Sequence, residues 1–152
     1  MFGFEKKEIE IFLEKYNYSP GEFIIGKISL KLSKPIHAKK LKVALIGERI
    51  TVMTDKDSNR KTHTSEDKTY VYNFQISLDG EKEYTEGEYE FQIKIPQNIL
   101  QGISSPKIGI EDMINSMQFP SGQQSMTNWY VIANLDVTMG FDISHKIQIN
   151  IG

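Results

Sequence analysis

Cysteine is absent from this 152-residue chain, which excludes a disulfide framework and any thiolate metal site. An excess of one charge is absent too. Eighteen Lys and Arg stand against twenty Asp and Glu, a formal net charge of −2, so no overall field draws the protein to nucleic acid or to an anionic bilayer. Neither nucleic acid nor a membrane is an expected partner. No stretch approaches the ~18–20 apolar residues of a membrane helix. The opening MFGFEKKEIE lacks the apolar run of a signal peptide, so the expected location is cytoplasmic. Catalytic signatures are missing as well: there is no G-x-S-x-G, no Walker loop and no G-x-G-x-x-G. The three histidines, His37, His63 and His145, are far apart and form no H-x-H or H-E-x-x-H pair, so a zinc site has no local support. The expectation is a protein that is not an enzyme and carries no cofactor.

What the chain has in quantity is period-two patterning. Ile9, Ile11 and Leu13 alternate with Glu8, Glu10 and Glu14. Ile24, Ile28, Leu30 and Leu32 keep one parity with Gly26 in their row. Leu41, Val43 and Leu45 form a third run, and Gly47 marks a bulge where the apolar parity shifts to Ile50 and Val52. Tyr70 to Leu78, Tyr89 to Ile95, Trp129 to Val137 and Ile147 to Ile151 supply four more. Each run predicts a strand with one buried and one wet face. Isoleucine occurs 21 times and leucine 8, a β-branched bias suited to pleated surfaces.

The separators agree. Ser19-Pro20-Gly21 suits a type II turn, in which Pro fixes φ and Gly supplies φ > 0. Lys34-Pro35, Asp79-Gly80 and Glu86-Gly87 also read as breaks. Alternating strands without intervening helices predict an all-β fold, an antiparallel β-sandwich of immunoglobulin-like type with seven or eight strands, and the length suits one domain over 1–152. Residues 96–128 interrupt the rhythm. Within them 110–117 has room for two helical turns, with Ile110, Met113, Ile114 and Met117 on one face. A connection this long is usually functional or mobile.

The run Y-x-P-G-E-x-I-x-G-K-I-S-L (Tyr18 to Leu30), followed by K-P-I-x-A-K-K-L-K-V-x-L-I-G-E (Lys34 to Glu48), resembles the N-terminal domain of the arrestin-like superfamily. EGEYEFQIKIP (Glu86–Pro96) and WYVIANLDV (Trp129–Val137) extend the likeness over nearly the whole chain. Retromer's arrestin-fold subunit and bacterial sporulation-control proteins share this architecture. The resemblance implies a non-enzymatic protein-interaction or scaffold module, in trafficking or regulation, with a protein partner whose identity the sequence does not give. Two-sandwich arrestins pair two such units, so a homodimer is one way to supply the second. Their phosphate-sensing lysine pair is not carried over, because the matching positions fall in Met1-Phe2-Gly3.

Candidate sites are few. Asp55, Asp57, Asn59 and Glu66 occupy positions 1, 3, 5 and 12 of a calcium-loop template. Against it, Arg60 stands where the sharp turn wants Gly, Lys56 and Lys61 add positive charge, and the flanks read as strands rather than helices. A solvated hairpin is the expectation there. A second calcium arrangement would gather Asp55, Asp57, Asp67, Asp136 and Asp142 at one end of the sandwich, giving a calcium- or lipid-linked membrane module as the alternative function. Trp129 shares parity with Val131 and Leu135 and is expected in the core. Ile110, Met113, Ile114, Met117 and Phe119 either pack back over an open end of the sandwich or present a partner surface; they are the partner-binding candidates, because Met adapts readily to varied surfaces. Ile9–Leu13, first and short, is expected to be an edge strand open to strand addition.

Overall fold

Alternation in the sequence becomes a seven-stranded architecture in the computed structural model, which describes residues 8–56, 58–101 and 123–152. The strands are β1 (Ile9–Leu13), β2 (Asn17–Tyr18), β3 (Phe23–Lys56), β4 (Thr62–Asp79), β5 (Lys82–Lys94), β6 (Gln123–Val137) and β7 (Ile143–Ile151). The segment 110–117, expected to hold a short helix, lies outside the described residues.

The two layers share β3. Its first part, Phe23–Lys31, pairs antiparallel with β1 on one side and β5 on the other. Its second part, from Ala38 onward, pairs with β6 and, from Leu41, with β4. β7 continues the second layer beside β6, and β2 adds to it in parallel, with Asn17 opposite Asn150. The sequence predicts a break at Lys34-Pro35. The structure instead carries the backbone through as extended chain and breaks only the pairing, which lapses between Lys31 and Ile36. Proline fits there because its missing N–H falls where no ladder bond is made. Glu86-Gly87, read as a break, lies within β5 with Gly87 opposite Leu30.

Inward residues of both layers form one core. Ile9, Ile11, Ile24, Ile28, Leu30, Phe91 and Ile93 come from the first layer. Leu41, Val43, Leu45, Trp129, Val131, Ala133, Leu135, Ile149 and Ile151 come from the second. Tyr72 meets Trp129 edge to face, with ring centroids 6.0 Å apart. Gly47 sits directly against that indole, so the shift expected at Gly47 is present, but the extra residue is Val71 on β4. That bulge carries Tyr70, predicted to point inward, out to 64% exposure. At Ser19–Glu22 the type II turn forms as predicted: Gly21 has φ 90° and the Glu22 N–H donates to the Ser19 carbonyl at 3.1 Å.

Candidate interaction site

The sequence-derived site residues separate rather than converge. Asp55 faces His63 across the β3–β4 ladder, whereas Glu66 faces Val52. The two carboxylates are three positions apart on an extended ribbon, about 10 Å along it, not wrapped around a common centre. The connection is a hairpin whose Arg60 takes a left-handed φ of 63° itself, so the turn forms without glycine. Asp57 lies outside the described residues. The broader aspartate cluster also divides. Asp67 stands opposite Thr51 and Asp136 opposite Lys40, at the two ends of β3's second half, about 36 Å apart along the strand. Among the described residues no group of three or more His, Asp or Glu is placed to hold a metal ion. Ile110, Met113, Ile114, Met117 and Phe119 all lie outside the described residues. Trp129 is in the core, and Tyr130 faces outward beneath Lys146, whose Nζ is 4.0 Å from the ring centroid.

Among the described residues β1 pairs on one side only, as expected of an edge. Its other side is not open throughout: the Ile11 N–H donates to His145 Nδ1 at 3.0 Å, so a β7 side chain holds one of the backbone donors an added strand would use.

The most unusual surface lies outside the candidates that the sequence predicts. The β6–β7 connection, Thr138-Met139-Gly140-Phe141-Asp142, presents Met139 at 89% and Phe141 at 96% exposure. Its base is firmly held. The Thr138 N–H donates to the His37 carbonyl at 3.2 Å, and Thr138 Oγ1 bonds His37 Nδ1 at 2.9 Å. Asp142 folds inward to accept the Val137 N–H at 3.1 Å, and Gly140 turns the chain at φ 125°. Lys34 and Met139 line one shallow hollow of ≈300 Å³ with Pro35, Ile36, His37 and Thr138. The signal was legible, since two large apolar residues flanking a glycine violate the polar rule for turns.

A polar cluster braces the neighbouring β4–β5 hairpin. Lys82 Nζ lies 2.9 Å from Asp79 Oδ2, Tyr89 Oη donates to the same oxygen at 3.0 Å, and the Gly80 N–H donates to Asp79 Oδ1 at 2.8 Å. The Lys82 hydrogen bond is the main reason the Asp79 carboxyl is held below its ordinary value, and the same bond raises Lys82. Burial pushes Tyr84 up to about 12 and raises Tyr89. Tyr18 and Tyr72 are also raised by burial, and Glu22 is lowered by its hydrogen bond from Lys15. Each of these shifts carries its group further from neutrality, the opposite of what acid–base catalysis near pH 7 requires.

Set beside known proteins, residues 5–152 match the family model for the C-terminal domain of arrestin, or S-antigen. The chain belongs to the arrestin family. The resemblance read from the sequence named the N-terminal domain, whereas the matched domain is the C-terminal one; both are sandwiches, and strand alternation alone does not separate them. Among solved structures, the sporulation control protein Spo0M of Bacillus subtilis aligns at 17% identity with a TM-score of 0.55, over 95% of this chain and 48% of that one. This arrestin-family chain thus spans about half the length of Spo0M, and at that identity the likeness shows fold alone. A DNA-bound alkylpurine DNA glycosylase, AlkC of Pseudomonas fluorescens, aligns at 12% identity over 94% of this chain and 30% of its own, with a TM-score of 0.29, too low to bear on function. No curated protein matches. Among the described residues no helix is long and apolar enough to cross a membrane.

Proposed function

We propose that this arrestin-family chain is a non-enzymatic interaction module that engages a protein partner in a trafficking or regulatory setting. The observation that carries the reading is the β6–β7 tip. Two large apolar side chains stand almost wholly in water on a hairpin whose base is fixed by hydrogen bonds. Fully covering each would yield roughly 1.5–3 kcal/mol, and holding them rigid spares the ordering cost that a mobile loop would incur on binding. The excursion residues Ile110, Met113, Ile114, Met117 and Phe119 are proposed as a second contact.

The test is affinity capture from native lysate with the wild type beside a Met139→Ser/Phe141→Ser variant. The reading expects a specific partner lost in the variant, with the melting temperature unchanged because neither side chain is packed. Identical capture by both proteins refutes the tip. The lipid-linked alternative draws on one observation: Lys34 shares the hollow with Met139 and has no ion-pair partner among the described residues. Flotation with phosphatidylserine vesicles separates the two readings, since a protein-directed tip leaves the vesicles bare.

A further inference from the structure

The outer face of the first layer carries a groove of ≈560 Å³, with Phe12, Glu14, Ile25, Lys27, Glu90 and Gln92 among its lining. Its rows follow from the ladder register. Phe23 pairs Lys94; Ile25 pairs Gln92; Lys27 pairs both Glu90 and Phe12; Ser29 pairs Glu88 and Glu10. Three apolar side chains therefore adjoin on a face turned to water: Phe12 at 48%, Phe23 at 45% and Ile25 at 41% exposure. Lysines flank them, with Lys27 Nζ 5.8 Å from the Phe12 ring centroid and Lys94 Nζ 5.9 Å from that of Phe23. Lys27 also reaches Glu88 at 3.4 Å. Glu90 and Lys94 have no ion-pair partner among the described residues.

The charge pattern is complementary to itself. Take the row of Ile25 and Gln92 as origin. Lys94 is one row to one side and Glu90 one row to the other, both on β5. A two-fold axis crossing the strands at this row, in the plane between two facing sheets, superposes each row on its opposite. Lys94 of one copy then meets Glu90 of the other, twice by symmetry. Lys27 meets the other copy's Phe23, also twice, and Ile25 packs on Ile25. Glu14, at the end of β1, falls on the rim, where water and salt screen like charges. We propose that this face joins two copies of the chain in an isologous dimer, sheet against sheet, about 10 Å apart.

The footprint sets the strength. Three strands at about 4.8 Å spacing and some eight residues at about 3.3 Å rise give a patch of roughly 14 by 27 Å. That is below the ~800 Å² per partner of a standard interface, so dissociation in the micromolar range is expected. The reading is independent of the β6–β7 tip, which lies elsewhere on the sandwich.

Sedimentation velocity across a dilution series tests it. The wild type is expected to pass from dimer to monomer in the micromolar range, and Ile25→Glu is expected to raise the dissociation constant at least ~10-fold while leaving the melting temperature unchanged. Glu90→Lys and Lys94→Glu are each expected to weaken the dimer, because each places like charges opposite. Combined in one chain they restore it, because the pairing is re-formed with the signs exchanged. A wild type that stays monomeric at millimolar concentration overturns the proposal. So does a dimer indifferent to Ile25→Glu, and failure of the combined charge exchange to rescue overturns the register.

Discussion

Gly47 and Gly26 offer a sharp test of the packing, because a single methyl group at each would meet a different kind of obstacle. A Cβ on Gly47 would lie 2.6 Å from Trp129 Cζ3 and 2.9 Å from Cη2. The indole is itself buried and set against Tyr72, so it has little room to retreat. Overpacking of this kind costs about 1–3 kcal/mol, and for a chain of this size each kcal/mol lowers Tm by about 2–4 °C. Gly47→Ala should therefore melt about 2–12 °C lower. Trp129→Phe deletes the ring atoms that the new methyl would strike. Alone it leaves a cavity worth on the order of 1–3 kcal/mol; combined with Gly47→Ala, the methyl occupies the vacated space, and the double variant should be more stable than the sum of the singles by at least ~0.5 kcal/mol. Gly26 is the harder case. Its Cβ would lie 2.6 Å from Phe91 Cζ and 2.8 Å from Leu13 Cδ2, but also 2.8 Å from the Phe12 carbonyl oxygen. A backbone atom cannot rotate away, so β1 itself must shift, and Gly26→Ala should cost more than Gly47→Ala. The assay is urea denaturation at constant m-value, with thermal melting in parallel. A neutral Gly47→Ala, strict additivity with Trp129→Phe, or the reverse order of the two glycines would refute the reasoning.

Asp79→Asn should flatten the acid limb of the stability curve. The Asp79 carboxyl is held below its ordinary value in the folded state, chiefly by Lys82, so its contribution is complete above the unfolded carboxylate value near ~3.9 and is lost as pH falls through the folded value. Wild type and variant should converge at low pH and diverge on the neutral side; parallel curves would refute the role. Met113→Asp with Met117→Asp should abolish partner capture and leave Tm nearly unchanged if that face meets a partner, whereas a large fall in Tm would show both residues to be core.

Most strands could be read from parity because one-sided burial writes itself directly into the sequence. Leu41, Val43 and Leu45 alternate because one face of β3 is dry, and their partners Val131, Ala133 and Leu135 repeat the signal on β6. What parity could not show was that two runs form one strand. Phe23–Lys31 and Ala38–Lys56 belong to different layers, and Pro35 looks like a terminator by composition. Only the ladders show that the chain stays extended while its partners change. Bulges were half legible for the same reason: Gly47 gave away the place, but which strand carries the extra residue depends on its neighbour, and Val71 is not a residue type that advertises a bulge.

The site was less legible because charged and ligand-forming residues, the usual marks of chemistry, lie here on ordinary strands. Those residues turned out to be ladder neighbours of ordinary strands, as Asp55 is of His63 and Glu66 of Val52. Surfaces built for contact are instead marked by apolar residues that burial does not explain. Ile25 has the same residue type as Ile24, yet Ile24 is fully buried and Ile25 faces water. Consecutive isoleucines in a strand must point to opposite faces, so Phe23-Ile24-Ile25 already implied that one face of this strand buries Ile24 while the other exposes Phe23 and Ile25. Had the opposite face been designed only for solvent, polar residues of good strand propensity such as Thr would serve there at small cost. The same reasoning applies to Met139 and Phe141, whose turn would close equally well with serines because its hydrogen bonds come from Thr138, Asp142 and the backbone. In both places the fold explains the backbone and leaves the side chains unaccounted for, and that surplus is what points to contact.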